Sequence, residues 1–148
     1  MSNNIFNIHP LNITARKQLE KLGSLEDQLP IYSKTPLLYQ LDNDLDPLKA
    51  PGRHVIINTR NDQVINVVKD KFSLDYQPLH GVNIIENMLV ESGLDLTGMT
   101  REYSEAYDGG RYVVTYTLPA HEIDLGNGDV SVLRLVHRNS FDGSWCFT

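Results

Sequence analysis

Arg134 and Arg138 stand four residues apart in the run Arg134-Leu135-Val136-His137-Arg138-Asn139. In a strand, alternation puts Arg134, Val136 and Arg138 on one face and Leu135 and His137 on the other. Two guanidinium groups on one face can grip phosphates or carboxylates, because each carries a permanent charge and a fixed fork of donors. With Arg111, Tyr112 and Tyr116 on a neighbouring strand, the sheet would also offer stacking rings, a combination suited to single-stranded nucleic acid. The competing reading makes Tyr112 and Tyr116 half-buried strand residues and pairs the arginines with local acids such as Glu102 and Glu105.

Other candidate chemistry is weaker. Asp42-x-Asp44-x-Asp46 opens like a calcium loop, but Pro47 stands where the loop needs glycine and Arg53 where it needs glutamate, which leaves a solvated acidic turn. His121-Glu122 begins like a zinc-protease helix, yet Leu125 occupies the position of the second histidine. His9, His54, His80, His121 and His137 lie far apart, and Cys146, in an apolar run, reads as a packed thiol. Gly126-x-Gly128 lacks the third glycine of a dinucleotide loop and reads as a hairpin turn. Ser140 and Ser144 lie near His137 in sequence only, and a hydrolase would need a cleft gathering His54, His137 and Asp142. No catalytic residue, metal or cofactor is expected, and the role expected is non-enzymatic.

The chain that must position these residues has 148 of them, 41% hydrophobic and 22% charged, with a formal charge of −6. That composition suits one globular domain and excludes coiled coil, collagen and wholesale disorder. The acidic total argues against a duplex-DNA binder. No apolar run approaches the ~18 residues of a membrane-spanning helix. With a single cysteine and no signal-like amino terminus, an intracellular, cytoplasmic protein without a membrane partner is expected.

Leu11, Ala15, Leu19 and Leu22 fall at helical spacing before Gly23, which predicts a short amphipathic helix in an amino-terminal arm, residues 1–24. Residues 25–52, broken by Pro30, Pro36, Pro47 and Pro51, read as an extended surface segment anchored by residues such as Leu37, Leu38 and Tyr39. A core over residues 53–148 follows. It opens with a hairpin from His54–Thr59 and Val64–Val68. A helix over 79–92 places Val82, Ile85, Met88 and Leu89 at helical spacing and turns Glu86 and Glu91 to solvent. Three strands follow, Thr100–Tyr107, Arg111–Leu118 and Val130–Arg138, with a loop before Asp129. The middle strand puts Tyr112, Val114, Tyr116 and Leu118 on one face and Val113, Thr115 and Thr117 on the other. The expected fold is α+β, a twisted antiparallel sheet with one main helix on one face and a short amino-terminal helix. Asn139, Asp142, Gly143 and Ser144 form a turn before a strand that the chain end leaves unfinished, so a fragment of a longer protein is expected, or else a carboxy terminus that closes a sheet edge. That strand edge, residues 144–148, is the candidate surface for self-association.

Four strings carry a resemblance: Tyr32-Ser33-Lys34-Thr35-Pro36-Leu37, His54-Val55-Ile56-Ile57-Asn58-Thr59, Asp108-Gly109-Gly110-Arg111-Tyr112-Val113, and Val136-His137-Arg138-Asn139-Ser140-Phe141-Asp142-Gly143-Ser144. Together they resemble the phage/plasmid-like family of unknown function (domain of unknown function nine-three-two). The resemblance implies a protein of phages, prophages or plasmids, usually longer than this chain, and similar in outline to single-strand annealing proteins. Two functions are thus expected: an accessory protein of a mobile element that binds single-stranded nucleic acid, or a protein-interaction module indifferent to nucleic acid.

Overall fold

The computed structural model describes residues 10–143. Its described elements run α1 (Pro10–Leu22), β1 (Tyr32–Tyr39), β2 (Leu48–Asn58), β3 (Gln63–Lys69), α2 (Pro78–Glu91), β4 (Thr100–Ala106), β5 (Arg111–Gly126) and β6 (Asp129–Ser140). The strands form two antiparallel three-stranded sheets, ordered β1-β2-β3 and β4-β5-β6. The fold is α+β.

Both helices lie close to where periodicity puts them. Gly23, with a left-handed φ of 77°, stops α1, and Pro78 starts α2 at the one end of a helix that tolerates a missing N–H. On α2 the covered face carries Val82, Leu89 and Val90, whereas Met88 is exposed.

The proline-rich segment departs from expectation. Instead of hugging the surface it supplies β1 and the first half of β2. Its prolines survive in a sheet because each sits where no ladder bond is needed. Pro36 lies on edge strand β1 beside a register shift, and Pro51 lies in the part of β2 between Lys49 and Arg53 that pairs with neither neighbour. Leu37 is half-buried, but Leu38 and Tyr39 stand in solvent and anchor nothing. The true anchors are Leu25, Leu29 and Tyr32.

One core joins the sheets, from Ala15, Leu25 and Leu29 through Ile56, Val82 and Leu89 to Tyr112, Val114, Tyr116 and Leu118. Polar contacts lock the same junction. Asn58, buried at the end of β2, donates its amide to the Asp108 carbonyl at 3.0 Å, Asn61 donates to that oxygen at 2.9 Å, and the Tyr32 hydroxyl donates to the Gly109 carbonyl. The receiving turn has Tyr107, Asp108 and Gly109 in left-handed conformation at φ 54°, 57° and 85°. Two non-glycine residues in that region are strained, and these bonds hold them there. A Cβ at Gly109 would stand 2.4 Å from Asn58 Nδ2, so only glycine fits.

Candidate interaction face

Registers across β4-β5-β6 fix which side chains share a face. Tyr112 pairs with Glu105 and Asn139, Val114 with Tyr103 and His137, and Tyr116 with Arg101 and Leu135. This set turns inward, and Tyr112, Val114, Tyr116 and Leu118 are wholly buried, as alternation expects. Val113 pairs with Ser104 and Arg138, Thr115 with Glu102 and Val136, and Thr117 with Thr100 and Arg134. This second set turns outward, half-buried along β5 and exposed along β4 and β6.

The consequence corrects the expected nucleic-acid site. Tyr112 and Tyr116 lie on the opposite side of the sheet from Arg134 and Arg138, with 1% and 0% of their surface exposed, so neither ring can stack on a base. Tyr112 packs edge-on against His137 with its hydroxyl 3.3 Å from Nε2, and burial pushes that hydroxyl up to about 12. Tyr116 donates to Glu86 Oε2 at 2.7 Å. Burial, then the Glu86 charge, drives the Tyr116 hydroxyl far above its ordinary value.

Glu86 is therefore not the solvent-facing residue that α2 periodicity suggests. Arg101 Nη1 donates to both of its oxygens at 3.0 Å, and Arg101 Nη2 reaches the Gly23 carbonyl at 2.7 Å. The arginine is 4% exposed. One buried network thus ties the end of α1, α2, β4 and β5 together, with a cation at the negative end of α1.

Arg111 is committed elsewhere too. Its Nε donates to Asp142 Oδ2 at 3.0 Å and its guanidinium lies 3.9 Å over the Tyr107 ring. The turn motif is a structural clamp: Phe141 N–H donates to the Gly110 carbonyl at 2.7 Å, Ser140 N–H to Asn139 Oδ1 at 2.8 Å, and Gly143 takes a φ of 85°. Ser144 and the candidate edge 144–148 lie outside the described residues. His54, His137 and Asp142 do not converge on a cleft. His54 Nδ1 sits 2.6 Å from Asp70, His137 sits against Tyr112, and Asp142 meets Arg111.

Arg134 and Arg138 lie on the outward face of β6, both exposed. Around them β6 is open on both faces, since Val130, Val132, Leu133, Leu135 and Val136 are between 37% and 51% exposed. β5 is longer than its sequence reads, running through Pro119–Leu125 with a register shift between Leu118 and Ile123, so the expected loop is mostly strand and β6 extends with it. β6 is also an edge of its sheet, and among the described residues no strand pairs with its outer side. Edge strands are commonly blunted by proline, lysine or a bulge. β6 contains neither proline nor lysine. Alternation along Val130–Arg138 carried the signal for this stripe, but which face stays uncovered depends on where α1 and α2 end.

A separate cleft of about 420 Å³ opens at the start of α2, lined by Tyr76, Gln77, His80, Gly81, Ile84, Asn139 and Phe141. Tyr76 and His80 rings face each other there at 4.8 Å. Among the described residues no three His, Cys, Asp or Glu side chains gather to hold a metal, and no helix is long and apolar enough to cross a membrane. No protein-family model, no curated protein and no solved structure matches the chain.

Proposed function

We propose that the chain is a protein-interaction module whose β6 strand accepts an extended acidic segment of a partner protein. The supporting observation is a twelve-residue edge strand with no strand paired to its outer side among the described residues, whose exposed outward face alternates Val132, Arg134, Val136 and Arg138. An open edge offers a row of main-chain donors and acceptors to an added strand, and alternate side chains supply selectivity. The two arginines lie four residues apart, about 13 Å at the rise of an antiparallel strand. A matching partner strand carries two carboxylates at the same spacing with an apolar residue between them to cover Val136.

Protein is favoured over single-stranded nucleic acid because no aromatic side chain of the paired residues of β4, β5 and β6 shares the outward face with Arg134 and Arg138, and the exposed Tyr107 ring of the β4–β5 turn is already covered by the Arg111 guanidinium. A nucleic-acid strand would gain phosphate contacts there without the base stacking worth ~1–3 kcal/mol per base. Pairing of β6 with β6 of another copy is disfavoured by chemistry, since it would bring four arginines onto one face.

Fluorescence anisotropy tests the proposal, using a labelled peptide of alternating glutamate and valine, with a thymidine oligonucleotide as competitor. Expected are saturable peptide binding, a loss of about tenfold or more with Arg134→Glu, about 1.4 kcal/mol, and no displacement by oligonucleotide. Tight oligonucleotide binding with no peptide binding would reinstate the nucleic-acid reading and reject this one.

A further inference from the structure

The far end of the β1–β2 hairpin offers the chemistry that β6 lacks. Five large apolar side chains, Leu38, Tyr39, Leu41, Leu45 and Leu48, stand 44% to 75% exposed there. Between them the loop carries Asp42, Asp44 and Asp46, all exposed and without an ion pair among the described residues, with Lys49 at the base of the hairpin. The loop is ordered by its own bonds: Leu45 N–H donates to the Asp42 carbonyl at 3.0 Å, Asp44 N–H to Asp42 Oδ1 at 3.2 Å, and Gln40 Nε2 to the Leu45 carbonyl at 2.7 Å. An apolar patch held rigidly in water at a hairpin end marks a contact surface.

We infer that this hairpin end docks on β6 of a second copy of the chain. This rests on the proposal that β6 is a docking strand and names a partner for its outward face; the loop is folded by its own turn bonds, so it meets β6 through side chains and not as an added strand. The surfaces match in both respects that govern docking. Leucines with a negative rim face valines and leucines flanked by Arg134 and Arg138, the sign relation that steers and registers an interface. Within one molecule neither surface covers the other, since Leu41 is 75% exposed and Val136 50%. The contact is therefore between copies. It joins two different patches, so it either closes reciprocally around a two-fold axis or propagates.

Sedimentation velocity on the full chain, over a range of concentrations at low and high salt, tests this. The wild type is expected to associate as concentration rises and to dissociate in high salt. The triple variant Asp42→Lys, Asp44→Lys, Asp46→Lys and the double variant Arg134→Glu, Arg138→Glu are each expected to stay monomeric. Mixed together they are expected to associate again, because the basic loop of one then meets the acidic strand of the other. Circular dichroism of each variant checks that it is folded. A monomeric wild type that still binds the glutamate–valine peptide would overturn the docking of a second copy and leave the β6 reading standing. A wild type that neither associates nor binds the peptide would overturn both, and association unchanged in both variants would overturn the docking alone.

Discussion

Thr115 and Tyr116 are neighbours in β5, yet one stands half-exposed on an open face and the other is fully buried with its hydroxyl on Glu86 of α2. The two faces of this sheet are built from the same strands by simple alternation, and they do opposite work. Inward side chains carry the core and the Arg101–Glu86–Tyr116 network, while outward ones leave a basic, apolar stripe uncovered on β6. If β6 docks a partner as proposed, stability and interaction are separated at the level of odd and even residues.

The largest effect should come from the inward face. Tyr116→Ala is expected to cost about 3–5 kcal/mol in urea unfolding, because it empties core volume and strips the Glu86 carboxylate of a donor. Thr115→Ala, one residue away, is expected to stay within about 0.5 kcal/mol. Equal losses at the two positions would mean that both faces of β5 carry the fold alike.

Next comes the junction with the first sheet. Gly109→Ala places a side chain at a φ of 85° and drives its Cβ into the Asn58 amide. A cost of about 1–3 kcal/mol is expected, read as a shift in the unfolding midpoint. Replacing Asn127, which also takes a left-handed φ of 55° but lies on the exposed β5–β6 turn, with glycine should leave the midpoint unchanged or raise it slightly.

A third effect appears only in alkali. Burial raises the Tyr112 hydroxyl to about 12 in the folded state, above the ordinary unfolded value near 10. The neutral phenol is the form the fold prefers. Its contribution to stability is therefore complete below pH ~10 and is lost as pH climbs through about 12. Tyrosinate absorbance and circular dichroism are expected to change together in that window. Ionisation of Tyr112 at pH 10 with the fold intact would mean that the inward face is wetter than its packing implies.

The smallest stability effect belongs to the outward face. Arg134→Ala is expected to alter stability by no more than about 0.5 kcal/mol, although it weakens peptide binding.

Much of the fold was legible in the amino acids. Gly23 and Pro78 punctuate the helices, and β-branched runs at Val55–Ile57 and Val113–Thr117 mark strands whose alternation correctly groups Tyr112 with Tyr116. β1 was not legible, because Lys34 and Pro36 are poor strand residues. The structure tolerates them on an edge, where Lys34 Nζ donates to the Asp70 and Phe72 carbonyls at 2.6 and 2.8 Å. Glu86 looked solvent-bound because its partner, Arg101, lies fifteen positions later and on another element. The candidate site was half legible. Spacing put Arg134, Val136 and Arg138 on one face, but only strand register showed that the tyrosines belong to the other.

Whether β6 takes an acidic extended segment along its outer side is tested by titrating the glutamate–valine peptide into isotope-labelled protein and following backbone amide resonances. Shifts concentrated on Val130–Arg138, with slowed hydrogen exchange of the β6 amides that face outward, are the expected result. Shifts confined to the cleft around Tyr76, His80 and Phe141, with β6 unchanged, would contradict it.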